Sequence, residues 1–293
     1  MEKRIDLHIH TCYSDGELTP MQVVNLAVKK ELNIIAITDH DSVEGLKLVD
    51  RDNPLIKDGR IEVINGIELS AKTASGKMHI LGYGIDYNNK ELCLKLEEVR
   101  RKNIEVTLAI YEQIRKDHGI SFSDKEIEEL KRAPHNIGRP DLAKLCIKHG
   151  FASSVNEAFE KFLTPAHDRL QNIDISKGID WHECLDLIRN SGGVSVLAHP
   201  KTLKLNDEEL KALLERMVSY GLQGIEVYNP IHTEEETRKY LEYASLFKLL
   251  ISGGSDYHGE HVKPDIQLGS GIDNNLKIKD LSLVDYLHKK NSN

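Results

Sequence analysis

An α/β fold built on a parallel sheet is what this sequence predicts, and three observations carry the prediction. Seven short apolar runs rich in Val, Ile and Leu recur along the chain, helical patterns lie between most of them, and nearly every run closes on a histidine or an acid. Short β-rich runs bounded by Gly, Asn or Asp read as buried strands. Strands alternating with helices imply a parallel sheet, either open or closed into a barrel. In a barrel the strand ends converge on one face, so ligands distant in sequence can meet there.

The first run, Arg4 to Ile9, alternates and carries His8 and His10 at its end. Thr19 and Pro20 then read as an N-cap and a first-turn proline for a helix over Met21 to Glu31. Ile34 to Thr38 is a strand feeding Asp39 and His40, and a further helix is expected from about Ser42 to Val49. Ile61 to Leu69 carries Glu68, and Ile80 to Tyr83 follows His79. The pattern then changes. Asn89 to Lys116 is charged with apolar residues at helical spacing, and short helices follow over Asp124 to Lys131 (capped by Ser123), Arg139 to His149 and Ser154 to Phe162. No convincing strand lies in this stretch, so it reads as a helical insertion in a βα alternation that resumes at Trp181. The expected division is 1–98 for the first part of the barrel, 99–180 for the insertion and 181–293 for the rest. Insertions of this kind usually overhang the active face, although a purely structural extension is the alternative. Val194 to Ala198 stops at His199, Gly224 to Tyr228 contains Glu226, and Leu249 to Gly253 runs into Ser255, Asp256, Tyr257 and His258. A last amphipathic helix, Asp280 to His288, should pack outside, with Lys289 to Asn293 fraying.

Composition sets the bounds. The 293 residues carry 39 basic and 47 acidic side chains, a formal charge of −8, and no long basic run. That argues against broad capture of duplex nucleic acid but leaves room for a small phosphorylated substrate. Four cysteines without C-x-x-C spacing suit a reduced, intracellular protein. The charged start, Met1 to Asp6, is unlike a signal peptide, and no apolar stretch approaches the roughly 20 residues of a membrane helix. The cytoplasm is the expected address, without membrane attachment.

The histidines carry the chemistry. His8 and His10, two apart on a strand, point to the same side and can grip one divalent ion, although such a pair alone is also an ordinary surface feature. Asp15 sits in a Ser-Asp-Gly turn and by itself reads as a turn former. Asp39 and His40 end a strongly apolar strand, Glu68 lies inside one, and burying such groups is expensive without a cation or a proton. His79 raises the same problem, and so does His199, for which a satisfied core histidine is the competitor. Asp256 and His258 repeat the two-apart arrangement. Three carboxylates and six imidazoles make nine donors, a number that suits three ions. Mixed nitrogen and oxygen donors without thiolates fit zinc, manganese or iron better than calcium. Three divalent ions against Asp15, Glu68 and Asp256 leave a net positive site for hydroxide and phosphate. Asp39 is expected to orient a ligand histidine, and Glu226 to play a supporting role or to be a buried structural carboxylate.

The ordered set His8-Ile9-His10-Thr11, Ser14-Asp15-Gly16, Thr38-Asp39-His40-Asp41, Gly66-Ile67-Glu68, His79-Ile80-Leu81-Gly82, Ala198-His199-Pro200 and Ser255-Asp256-Tyr257-His258 resembles the PHP (polymerase and histidinol phosphatase) superfamily. The resemblance implies a distorted (β/α)7 TIM-like barrel with a two- or three-metal cluster at the strand ends. It places one ion on His8, His10, Glu68 and Asp256, a second on Glu68, His79 and His199, and a third on Asp15, His40 and His258. Asp15, His40, Glu68, His199, Asp256 and His258 are then the catalytic set.

Within the superfamily, Asn136-Ile137-Gly138-Arg139-Pro140, Ala143, Gly150 and Ala158-Phe159 look like the subgroup that removes the 3′-phosphate of nucleoside 3′,5′-bisphosphates, some members of which trim short 5′-phosphorylated oligonucleotides. The implied reaction is phosphoester hydrolysis by a hydroxide bridging two ions, with Arg139 and Asn136 as substrate contacts. Two departures touch substrate choice: Asp141 stands where the resemblance leads one to expect a histidine, and Pro165 to Arg169 is unlike a basic, glycine-rich turn. The alternatives are a phosphatase of histidinol phosphate or another small monoester, an amidohydrolase on the same scaffold, and a non-catalytic metal-binding module of a larger complex.

Overall fold

The computed structural model describes residues 4–73, 76–170, 178–278 and 282–291. Seven strands form one sheet in sequence order: β1 (Ile5–Ile9), β2 (Ile34–Ile37), β3 (Glu62–Ala71), β4 (Met78–Tyr83), β5 (Val194–Leu197), β6 (Gly224–Tyr228) and β7 (Leu250–Gly253). The sheet is nearly closed, because Tyr257 just beyond β7 bridges Ile9 of β1, with His10 N donating to Tyr257 O at 2.9 Å.

Every neighbouring pair is parallel except those made by β4, which runs antiparallel to both β3 and β5. The parallel sheet implied by strand–helix alternation is interrupted at this one strand, and the connection explains why. Ala71 and Met78 are too close in sequence for a crossover helix, so β3 and β4 pair as a hairpin. Register shifts between Asp6 and Ile9 on β1, and between Glu226 and Tyr228 on β6, add to the distortion.

The helices are α1 (Pro20–Lys29), α2 (Glu44–Lys47), α3 (Pro54–Lys57), α4 (Lys90–His118), α5 (Asp124–Lys131), α6 (Arg139–Lys148), α7 (Val155–Ala158), α8 (Thr164–Asp168), α9 (Trp181–Asn190), α10 (Asp207–Tyr220), α11 (Glu234–Phe247) and α12 (Ser282–Asn291). Thr19 and Gln22 close a reciprocal capping box on α1, with Pro20 in the first turn. The helix expected over Ser42 to Val49 is a single turn, α2, and the one expected over Ser154 to Phe162 is α7 followed by a π turn, Phe159–Leu163. Asp280 and the last two residues lie outside the described segments.

The chain divides into two compact units, Met1–Cys93 with Lys177–Asn293, and Leu94–Ser176. In the first unit an apolar cluster draws Ile5 and Leu7, Ile34 and Ala36, Ile64, Leu81 and Tyr83, and Val194 and Val196 from five strands, and α12 adds Leu283, Val284 and Leu287 to it. The helix expected to pack outside is therefore part of the barrel's own core. In the second unit all described residues are helical or irregular, packed around Ile110, Ile114, Leu142, Cys146 and Leu163. Among the described residues no helix is long and apolar enough to cross a membrane.

Candidate metal centre

Glu68 on β3 is fully buried, and five imidazoles converge on its two oxygens. His8 Nε2, His10 Nε2 and His40 Nδ1 lie 3.1, 3.2 and 3.2 Å from Oε2, and His79 Nδ1 and His199 Nε2 each lie 2.9 Å from Oε1. Asp256 Oδ1 is 3.1 Å from His10 Nε2 and 3.5 Å from both His8 Nε2 and His258 Nδ1. Asp15 Oδ1 closes the far side, 3.2 Å from His258 Nε2 and 3.6 Å from His10 Nδ1. The fold thus gathers all nine sequence-predicted donors. His79 belongs with them because β4 is reversed: as the second residue of an antiparallel strand, paired with Ser70, it lies level with the ends of the neighbouring strands.

A different set of carboxylates holds the segments that carry these donors. Asp6 accepts from Ser255 N at 2.8 Å, Ser255 Oγ at 2.6 Å, Gly269 N at 2.7 Å and His8 N at 3.3 Å, tying β1 to the loop of Asp256. Asp39 accepts from Thr11 N, Thr11 Oγ1 and Ser14 Oγ at 2.6 to 2.7 Å. Its expected hold on a histidine is indirect, since Ser14 Oγ lies 3.4 Å from His10 Nδ1. Asp41 accepts from Ser70 N at 2.8 Å. Burial pushes the Asp6, Asp39 and Asp41 carboxyls up, and these bonds pull them back. Sequence reasoning missed Asp6, although it stands two residues before His8 on the same strand. It also missed Lys263, whose Nζ donates to Asp256 Oδ2 at 2.8 Å and for which no sequence pattern gave a signal.

Charge explains what the donor set can hold. Burial opposes ionisation of Glu68, Asp256 and Asp15, but the surrounding histidines outweigh it and hold all three well below the usual carboxylate range. Burial likewise opposes protonation of His10, yet Asp256 and Glu68 raise it to about 9, while His40, where burial dominates, is lowered to about 3. His10 Nε2 and His40 Nδ1 are buried without a hydrogen-bond partner, although each lies 3.2 Å from Glu68. An unprotonated imidazole nitrogen set against a carboxylate oxygen presents lone pair to lone pair, an arrangement that a proton, as on His10, or a shared cation relieves. Three donor groups have ligand atoms within 4.8 Å of one another: His10, Asp15, His40 and His258; His8, His10, Glu68 and Asp256; and His40, Glu68 and His79. The nitrogen and oxygen set, buried and at the barrel's strand ends, fits divalent transition metals.

The PHP domain matches residues 6–252. The chain belongs to the PHP domain family. It is 28% identical over 257 residues to a 3′,5′-nucleoside bisphosphate phosphatase of Chromobacterium violaceum, covering 87% of each chain. It is 30% identical over 265 residues to a phosphoribosyl 1,2-cyclic phosphate 1,2-diphosphodiesterase of Eggerthella lenta, covering 87% of this chain and 94% of that one. It is 29% identical over 268 residues to the 5′-3′ exoribonuclease Rnm of Escherichia coli, covering 90% and 87%. Among solved structures, a candidate metal-dependent phosphoesterase from Bifidobacterium adolescentis superposes with a TM-score of 0.76 at 26% identity, over 99% of this chain and 97% of that one. This PHP protein is a metal-dependent hydrolase of phosphate esters.

Asn136 and Arg139 lie in the Leu94–Ser176 unit. Arg139 opens α6, with its guanidinium 5.2 Å from the Phe159 ring centre. Asp141, the departure noted in the sequence, accepts from Gly138 N at 2.9 Å and pairs with His135 at 3.0 Å, so it closes the start of α6. The Pro165 to Arg169 departure is helical rather than a turn through Asp168, and Arg169 pairs with Asp117 at 2.7 Å.

Proposed function

We propose that this PHP protein removes the 3′-phosphate from nucleoside 3′,5′-bisphosphates and trims short 5′-phosphorylated oligonucleotides. The reading is carried by the nine-donor cluster around Glu68, complete in every member. It is supported by similarity to a bisphosphate phosphatase and an exoribonuclease along nearly the whole chain. Three divalent ions, manganese, zinc or iron, are proposed for the cluster. The first is held by His8, His10, Glu68 and Asp256, the second by Glu68, His79 and His199, and the third by Asp15, His40 and His258.

Such ions, when bound, lower the pKa of coordinated water toward about 7 and neutralise developing charge on phosphate oxygens. The chain's own residues do the rest. Glu68 belongs to two of the three donor groups, all but the one around Asp15, and would be shared between the ions they hold. Asp15 at the rim is the most exposed of the three acids, and because the neighbouring histidines keep it ionised it offers a charged oxygen at the mouth of the cluster. Arg139, with Asn136, is the proposed contact for substrate phosphate, through charge-assisted hydrogen bonds.

The test is a substrate panel on the metal-loaded protein: 3′-phosphoadenosine 5′-phosphate, a 5′-phosphorylated oligoribonucleotide of a few residues, phosphoribosyl 1,2-cyclic phosphate and histidinol phosphate. The first two should turn over with the highest kcat/KM. Preference for the cyclic phosphate or for histidinol phosphate overturns the substrate assignment and leaves the metal centre standing.

A further inference from the structure

Glu226 stands outside the nine donors yet touches two of them through different oxygens. Its Oε1 accepts from His8 Nδ1 at 2.8 Å, and its Oε2 accepts from the backbone N–H of His199 at 2.7 Å and from Asn229 Nδ2 at 3.2 Å. It is fully buried on β6, at the point where the register with β7 shifts. His199 adopts φ 23, a conformation that residues with a side chain avoid, so its backbone needs an external hold. Beyond these contacts, His8 Nε2 faces Glu68 at 3.1 Å, and His199 Nε2 faces the other oxygen of Glu68 at 2.9 Å.

We propose that Glu226 is a positioning residue for the metal centre, keeping the His8 proton on Nδ1 so that Nε2 is free to bind a cation, and holding the backbone of His199 in register. The inference rests on the reading of the cluster as a metal centre. Its logic is directional. A backbone N–H only donates, so one acceptor must face His199. A carboxylate keeps a second acceptor for His8 Nδ1–H, which leaves the lone pair on Nε2. A glutamine has a single acceptor oxygen. When that oxygen serves His199, the amide NH2 faces His8 Nδ1 and draws the imidazole proton to Nε2, where it blocks the ligand position. The exchange is nearly isosteric, so it opens no cavity.

The full chain, as wild type and as Glu226→Gln, is loaded with zinc and its stoichiometry and affinity are measured by plasma mass spectrometry and chelator competition. Nitrogen-15 NMR of the histidine rings in the zinc-loaded wild type is the second measurement. Glu226→Gln should lose zinc affinity about 10- to 100-fold at one position, the size found when such supporting partners are removed. The wild type should show His8 bound through Nε2 with Nδ1 protonated. A Glu226→Gln protein that melts lower but binds zinc like the wild type overturns the proposal and leaves a packing role. So does a wild-type His8 bound through Nδ1, which can be read even where the variant does not fold. A wild type that binds no zinc overturns the metal reading itself, whereas a wild type that binds beside an unaffected variant overturns only the role of Glu226.

Discussion

The two units spend their interiors differently. In Leu94–Ser176 the core is apolar, and Thr107 is the one buried polar side chain among its described residues. The barrel unit buries Asp6, His8, His10, Asp39, Asp41, Glu68, His199 and Glu226 around one end of its sheet. An isolated buried ion costs several kcal/mol, and a core of hydrophobic residues of similar volume is often the more stable alternative. The helical unit takes that alternative. The barrel keeps its charges in pairs and networks, which is what a centre built for cations rather than for stability requires.

The sharpest way to break this contrast is Glu68→Gln. One neutral amide cannot serve five imidazoles, so bound metal and turnover should vanish together, with turnover down by more than about 10³-fold, or about 4 kcal/mol in the barrier. Plasma mass spectrometry on the purified variant, alongside its phosphatase rate, checks this. A metal-free variant that still turns over would show that the buried charge serves something else. The counterpart in the other unit is Leu142→Ala, in a fully buried position on α6. Truncation there should cost about 2 to 5 kcal/mol in denaturant unfolding. Metal bound per folded chain should stay unchanged, and a loss of metal in step with stability would mean that the units are not separable.

The third prediction concerns pH. Glu68 and Asp256 hold His10 at about 9 in the metal-free protein, above its ordinary value of 6.5. The raised value means that the stability the proton lends is full below 6.5 and is lost as pH climbs through about 9. A bound cation needs the deprotonated ring, so its hold strengthens over the same window. Metal loading should therefore raise the unfolding free energy, measured by denaturant titration, more at pH 9 than at pH 6.5, by up to about 3 kcal/mol. His40, held down to about 3, is neutral across that window and does not alter the trend. Equal stabilisation at both pH values would remove His10 from the ligand set.

The contrast also explains what could be read without coordinates. The strands were legible because each is a short apolar run, and the donors because each interrupts or closes one. The helix boundaries followed from caps that act locally, such as Thr19 and Ser123. The reversal of β4 was not legible, because direction depends on a connection whose length allows a hairpin but does not announce one. Nor were the bonds of Asp6, whose partner Ser255 lies 249 residues away and meets it only in the folded barrel, or of Lys263, which reaches Asp256 seven residues back through an irregular segment. In the helical unit Asp141 looked like a substitution in a site and is a helix cap, since a carboxylate three residues after the cap position has a local use that no site is needed to explain.

Arg139 is where the apolar unit makes its proposed contribution to chemistry, and the expected effect is the smallest. Its guanidinium over Phe159 is worth about 0.5 to 1 kcal/mol to that unit's stability. A charge-assisted bond to substrate phosphate is worth about 1.5 to 3 kcal/mol, so Arg139→Ala should raise KM about tenfold or more. Metal content should not change, because no donor of the cluster belongs to that unit. Arg139→Lys separates the two contributions, since lysine keeps the charge for a phosphate and loses the planar stacking on the ring. If lysine restores KM while the melting temperature stays low, the phosphate contact stands. If KM is wild type in both variants and only stability moves, Arg139 belongs to the packing of its own unit, and recognition of the phosphate falls to the barrel.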